Sequence, residues 1–490
     1  MQLVLALDAG TSGVRTVAFD ERLEVVDEAY RELTQFFPAP GEVEHDPHEI
    51  TDLAIGTLRE VATRVRAAGH DVVALGITNQ RETTVGFDRT RGDTFGRAIV
   101  WQDRRTADFC QELERQGHGG DVRATTGLVL DSYFSATKMN WMLERGLADG
   151  ALEPSFATVD SWLLWTLSGA VNGGVFMTEA SNASRTLLMD LSTLTWSPNM
   201  MNLFGVEEHM LATIRPSSGA FASVSANVIE ELAGVPITGV LGDQQSALFG
   251  QACFTRGLVK ATYGTGAFIL TNAGASVPNV VEGLLTSVAW NLGKNGPTTY
   301  ALEGSAFVAG AAVQWLRELG FIDASSELES LALSVSDSSG VQFIPAFTGL
   351  GSPFWRPDAR GAITGLSRGV GKGEIARSLV EALAYQVRAI TDAFRDGGVE
   401  LKELRCDGGA AAMDLLLQLQ ATNSRVDTLR CSSLEATARG AASIAGLEVG
   451  LWSSLEELAQ LWHAQKRFSP EDPGVVDLGY ASWRSALERA

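Results

Sequence analysis

Near the N-terminus three short runs, LVLALD (3–8), VRTVAFD (14–20) and EVVDEAY (24–30), alternate with small or acidic turns. Runs of this length and spacing predict an antiparallel meander. The segment that follows, HDPHEITDLAIGTLREVATRVRAAGHD (45–71), changes period: Ile50, Leu53, Leu58, Val61 and Val65 recur at helical spacing and predict one buried face. Asp46 is placed to cap that helix, Pro47 suits its first position, and Glu49 is placed to close a capping box. VVALGIT (72–78) then reads as a strand. Strands, a helix and another strand indicate an α/β chain.

The second half repeats the theme. LVKATYGTGAFILT (258–271) reads as strand, Gly-Thr turn and strand. A long helix is expected over 373–396, with Ile375, Leu379, Leu383, Val387, Ile390 and Phe394 on one side and Gly397 and Gly398 at its end. LKELRCDGGAAAMDLLLQLQAT (401–422) reads as a strand, an acidic residue, two glycines and a helix beginning directly after them. The echo between the halves suggests a duplication. The expected division falls near residue 250, giving domains 1–250 and 251–490, with no Pro- or Ser-rich tether between them.

Composition narrows the class. A chain of 490 residues exceeds one ordinary core, and 45% hydrophobic with 20% charged residues is a globular balance. A formal net charge of −21 would repel nucleic acid and anionic membranes, so an anionic substrate needs a local basic pocket. Cys110, Cys253, Cys406 and Cys431 are widely spaced and read as reduced thiols. The apolar start lacks the features of a signal peptide, and no run is long and apolar enough for a membrane span. A cytoplasmic enzyme is expected.

Four segments could carry chemistry. The opening turn AGTSG lies between Asp8 and Arg15 and includes Thr11 and Ser12; it could present N–H groups to a phosphate, or be a plain hairpin. It lacks the Lys of a P-loop. YGTG (263–266) and DGGAAA (407–412) could do the same, the latter at a helix start. Asp243, in GVLGDQQSALFG, sits at a predicted strand end; a general base, a metal ligand and a helix N-cap are equally open from its position. In TNQRETT (78–84), Arg81 and Glu82 offer a donor and an acceptor suited to a polyhydroxy compound, or are solvated surface charges. Trp101 and Tyr133 read as core aromatics unless a cleft claims them.

Longer blocks add a resemblance. VEHDP (43–47), GITNQRETT (76–84), AIVWQDRRTA (98–107), TTGLVLDSYFSATK (125–138), SNASRT (181–186), GDQQSALFGQ (242–251), TYGTGAF (262–268), YALEGSAFVAGAAVQWLR (300–317) and PAFTGLGSPFW (345–355) follow in the order of the FGGY carbohydrate kinases, which the chain resembles over nearly its whole length. The resemblance implies two ribonuclease-H-like domains of the actin and hexokinase type around a cleft, with MgATP mainly on the second and a polyol on the first. It implies Asp243 as general base and Asp8 with Asp243 at the Mg²⁺ site. Thr11, Ser12, Gly13 and Arg15 would lie near the transferring phosphoryl, and Gly264, Thr265, Gly310, Gln314, Gly409, Ala410 and Met413 at the nucleotide. Arg81, Glu82, Tyr133 and Gln244 would bond the substrate hydroxyls, with Trp101 and Phe268 beside its carbon chain. QRET (80–83) is the form found in members acting on glycerol, where pentulose kinases carry a His-containing segment. The alternatives are another small polyol or ketose, or a relative that binds without catalysis. A homodimer or homotetramer is expected. Two departures stand out: DAGTSGVR (8–15) is closer to a pentulose-kinase opening, and Met413 and Asp414 replace two Asn common at the adenine.

Overall fold

The computed structural model describes residues 1–432 and 435–490. Two mixed sheets form its frame. In the first, the strands run in the order Ser218–Ser223, Pro236–Gly242, Asp71–Asn79, Gln2–Ala9, Gly13–Phe19, Val25–Glu32. In the second the order is Leu285–Asn291, Thr298–Ala306, Ala267–Gly274, Leu258–Tyr263, Glu403–Asp407, Asp427–Cys431, Ala464–Phe468. The halves share a plan. Antiparallel strands lie on one side of each half's first strand, two in the first sheet and three in the second; on the other side two strands parallel to it are followed by an antiparallel edge strand. The meander and the second-half hairpin match the sequence pattern, and the shared topology extends the echo to the whole of each half.

The helix Pro47–Ala67 forms where expected. Asp46 caps it by accepting from the His48 N–H. Ile50, Leu58, Val61 and Val65 are buried and Leu53 packs at the margin. Glu49, however, does not close a capping box. Its carboxylate accepts from the Thr34 N–H and hydroxyl, tying the chain that leaves the meander to the helix. The long helix runs Lys372–Asp396 and stops at Gly397. The two glycines after Asp407 do not open a helix directly: a 3-10 turn, Gly409–Ala412, intervenes before Asp414–Ser424. All four cysteines are buried.

The helix Ala436–Glu448 joins the halves. It lies against strands Asp71–Asn79 and Pro236–Gly242 of the first sheet and against the helix Asp243–Gly250. A Cβ on Gly76 would stand 2.1 Å from the Ala441 carbonyl oxygen, and one on Gly440 1.8 Å from the Ser246 carbonyl oxygen. Only glycine permits so close a backbone approach. Around this helix one apolar core draws on both sheets, from Val4, Ala6 and Leu241 to Leu270, Ala289 and Trp290. A third body of structure, spanning roughly residues 98–210, adds short helices around Phe134, Met139 and Phe204 beside the first sheet.

Candidate functional site

In the first sheet the parallel strands end on candidate residues. Asp8 is the next-to-last residue of the strand Gln2–Ala9 and the hairpin Gly10–Gly13 follows it, Gln80 to Glu82 follow Asp71–Asn79, and Asp243 follows Pro236–Gly242. The carboxyl ends of parallel strands are where open α/β sheets place ligands, because the loops there are free to differ while the strands hold them rigidly.

The Arg81–Glu82 corner is built by a tight turn. The Thr83 N–H donates to the Arg81 carbonyl at 2.7 Å, and Glu82 between them has φ +64°. A left-handed glutamate carries about 1–3 kcal/mol of strain, the kind of feature found at ligand clamps. Both side chains are buried, at 2% and 1% exposure, so they are not the solvated pair the sequence alone allows. Glu303, from the second sheet, receives the guanidinium of Arg81 in a two-pronged bond (2.8 and 2.9 Å). Arg185 completes a ring. Its Nε donates to Glu82 at 2.6 Å, and its Nη1 lies 3.4 Å from Glu303. Burial opposes the charge of Glu303, yet Arg185 and Arg81 outweigh it and hold the carboxyl down at about 2. For Glu82 burial is the larger effect and its carboxyl stays above the ordinary range despite both arginines. Arg81 Nε and both Arg185 Nη atoms are buried donors without a hydrogen-bond partner. Arg81 Nε and Arg185 Nη1 instead face the carboxylates of Asp243 and Glu303 as ion pairs.

Asp243 opens the helix Asp243–Gly250, with its carboxylate oxygen 3.2 Å from Arg81 Nε and accepting the Gln244 N–H at 2.7 Å. Its side chain remains 28% exposed, open to the cleft. Asp8 lies part-buried nearby. Burial first, then the charges of Asp243 and Glu435, lift its carboxyl to about 7 against the pull of Arg15. A carboxyl raised by burial and by a second carboxylate beside it marks a spot where a cation would be favoured. Among the described residues, no group of three or more His, Cys, Asp or Glu could form a closed protein cage. Mg²⁺ characteristically needs only one or two carboxylates, with water and phosphate completing its shell, so the donor set fits it.

Tyr133 and Trp101 meet edge to face (5.4 Å between centroids), and the Trp101 indole N–H donates to the Thr11 hydroxyl at 2.9 Å. The polyol candidates therefore touch the phosphate-hairpin candidates. Burial and the charge of Glu82 push the Tyr133 phenol up, so it stays a donor. Gln244 extends to the buried Lys260, and Phe268 is part-buried on the second sheet beside them. Arg15 pairs with Glu435, just before the helix Ala436–Glu448, while Ser12 is exposed at the hairpin tip. Gly13 has a packing reason to be glycine: a Cβ there would stand 2.4 Å from the Tyr30 hydroxyl.

The nucleotide candidates collect at the ends of the second sheet's strands. The carbonyls of Gly264 and Thr265 accept from the N–H groups of Gly310, Ala309 and Ala311, so the hairpin turn seats the start of the helix Gly310–Glu318. Gln314 lies one turn along and donates to Glu318 at 2.9 Å. Gly408, at φ +87°, lets its turn press on the Tyr263 backbone and brings the exposed Gly409 and part-buried Ala410 beside Gly264. Met413 is 8% exposed and its side chain packs in an apolar core of the second half with Leu416 and Leu417. Asp414 is bonded to Arg430 and Lys466.

The sequence reading passed over Glu303, Arg185 and Lys260. Each is a single charge within apolar or small-residue context, and that isolation was the available signal.

Residues 3–250 match the N-terminal domain of the FGGY family of carbohydrate kinases, and residues 259–449 match its C-terminal domain. The chain belongs to the FGGY family of carbohydrate kinases. Among its relatives, a glycerol kinase of Acidovorax ebreus (strain TPSY) is 47% identical over 503 aligned positions, covering 100% of this chain and 99% of the relative. A glycerol kinase of Stenotrophomonas maltophilia (strain R551-3) is 46% identical, covering 99% and 97%. Of solved structures, Plasmodium falciparum glycerol kinase with ADP superposes at a TM-score of 0.93 with 34% identity, covering 100% of this chain and 98% of that one. A xylulose kinase from Lactobacillus acidophilus superposes at 0.90 with 18% identity, covering 100% and 99%, which speaks for the fold alone. The two-domain FGGY fold is thus common to members with different named substrates. No helix among the described residues is long and apolar enough to cross a membrane.

Proposed function

We infer that this FGGY kinase is an ATP-dependent glycerol kinase, moving the γ-phosphoryl group of ATP to glycerol to give sn-glycerol 3-phosphate and ADP. Full-length identity of 45–47% to glycerol kinases carries the reading. The buried Arg81–Glu82 corner beside Asp243 supports it. Glu82 accepts only, while Arg81 and Tyr133 donate, so the corner suits vicinal hydroxyls that can do both.

In the roles we propose, glycerol lies between Trp101 and Phe268, with hydroxyls on Arg81, Glu82, Tyr133 and Gln244. Asp243 takes the proton from the terminal hydroxyl as its oxygen attacks. Asp8 and Asp243 would hold Mg²⁺, which when bound neutralises phosphate charge. Arg15 with the Thr11–Gly13 turn would face the transferring phosphoryl. Gly264, Thr265, Gly310, Gln314, Gly409 and Ala410 would flank the nucleotide, with Met413 contributing backbone. Phosphoryl transfer asks chiefly for placement and charge neutralisation, which these parts supply. Assembly as a homodimer or homotetramer and a cytoplasmic location belong to the same proposal.

ADP release measured across a panel of glycerol, erythritol, dihydroxyacetone, xylulose and ribulose tests the substrate. Glycerol should lead in kcat/KM, and another compound leading would overturn the reading. Asp243→Asn should lower kcat by about 10²–10⁴-fold while glycerol still binds. Unchanged turnover would remove the assigned base.

A further inference from the structure

Lys260 sits in the middle of the strand Leu258–Tyr263 with no exposed surface. Its register partner is Leu270, whose partner on the next strand is Glu303. Residues paired across a sheet share a face, so Lys260 and Glu303 flank Leu270 on one side of the second sheet. Phe268, two residues before Leu270, lies on that side as well. This face backs the polyol corner: Glu303 reaches Arg81, and Lys260 reaches Gln244.

The second of these contacts has a chemical consequence. Lys260 Nζ meets the Gln244 side-chain amide and also points to the Phe268 carbonyl at 3.4 Å. An ammonium has donors and no acceptor, so the amide atom facing it must be the carbonyl oxygen. The NH₂ of Gln244 is then turned the other way. An untethered glutamine could offer a ligand either end; this one offers only donors. Burial is the largest effect on the ammonium and lowers it to about 8, with Asp407, Asp243 and Glu303 opposing and Arg81 the nearby like charge.

We infer that Lys260 is a positioning residue for polyol recognition: by holding the Gln244 carbonyl it commits Gln244 to donate to a substrate hydroxyl oxygen, opposite the acceptor Glu82. The inference rests on the reading of Gln244 as a glycerol contact. It gives the corner a fixed polarity, with Gln244 and Arg81 donating and Glu82 accepting, and places the control of that polarity on the second sheet.

A double-mutant cycle tests it on the full-length enzyme, with KM for glycerol, KM for MgATP and kcat read separately. Lys260→Met should raise the glycerol KM about tenfold, the loss of roughly one hydrogen bond, and leave the MgATP KM within about twofold. Lys260→Arg, which keeps a cationic donor, should recover most of that loss. In a Gln244→Ala background, Lys260→Met should add nothing to the glycerol KM. If Lys260→Met does not fold, Lys260→Gln runs the same cycle with a neutral head. An equal penalty in both backgrounds would show that Lys260 acts without Gln244 and overturn the inference. A lowered thermal midpoint with unchanged glycerol KM would make Lys260 structural, again against it. A wild-type glycerol KM in Gln244→Ala would remove the Gln244 contact and the inference together. None of these coincides with failure of the function reading, which is wild-type enzyme that does not prefer glycerol.

Discussion

Two buried glutamates pull the pH dependence of stability in opposite directions. Glu179 has no exposed surface and accepts from the N–H groups of Ser181 and Asn182 and from the Ser217 hydroxyl. Burial nevertheless dominates and lifts its carboxyl to about 7, the serine hydroxyls opposing. Between about pH 4.5 and 7 the folded chain then keeps a proton that the unfolded chain has lost. Its contribution therefore falls as pH rises through that window, by at most about 1.4 kcal/mol per unit. Glu303 is the reverse case. Its carboxyl is held near 2 by Arg185 and Arg81, so its contribution is present above about pH 4.5 and lost as pH falls toward 2. Urea unfolding from pH 4 to 8 should show Glu179→Gln flattening the decline on the neutral side. Glu303→Gln should lower stability most at neutral pH, because it removes the carboxylate that both buried arginines share. A slope unchanged in Glu179→Gln would refute the assignment. The same residues show how much of the site the sequence exposes. Arg81 and Glu82 were legible because they are contiguous and follow a clear strand. Glu303 and Lys260 were not, because their meaning lies in which strand faces them. An isolated charge in VKAT or ALEG does not say whether it meets Arg81, Gln244 or water.

At the scale of elements, local signals carried far. The meander, the capped helix Pro47–Ala67 and the long helix Lys372–Asp396 are written in period, Pro and Gly. The failures were contacts across elements: Glu49 chose Thr34 over its own helix, and a 3-10 turn intervened after Gly408 because that glycine presses on the Tyr263 backbone. The joint between helices Ala436–Glu448 and Asp243–Gly250 is of the same kind. At Gly440 an added Cβ would meet the Ser246 backbone oxygen at 1.8 Å, where no side chain can swing aside. Gly440→Ala must push the helices apart, and overpacking of this sort costs about 1–3 kcal/mol. Because Asp243 begins the displaced helix, kcat should drop as well. Gly56→Ala is the control: it lies within Pro47–Ala67, its added methyl would meet nothing within 4 Å, and it should stabilise by about 0.5–1 kcal/mol. Denaturant midpoints for the two variants moving in the same direction would contradict the packing argument.

At the scale of the whole molecule, we propose residue 250 as the division along the chain, but the halves do not divide the core. Val4, Ala6 and Leu241 pack in the same apolar cluster as Leu270, Trp290 and Ala441, and the helix Ala436–Glu448 lies on the first sheet although it comes from the second half. Arg81–Glu303, Lys260–Gln244 and Arg15–Glu435 add polar ties across the same division. Chains of this length commonly melt domain by domain, because each domain has its own core. Here a fragment of residues 1–250 would carry Gly76 and Ala74 on a sheet face without the helix that covers them, and Phe249 without Trp290 against it (5.2 Å in the full chain). Such a fragment should aggregate or unfold, and co-expression with residues 251–490 should restore it. Scanning calorimetry of the intact chain should give one transition. Glycerol, bound as we propose by groups from both sheets, should raise that transition as a unit, in proportion to RT ln(1 + [L]/Kd). Two resolved transitions, with glycerol moving only one of them, would show that the shared core does not couple the halves.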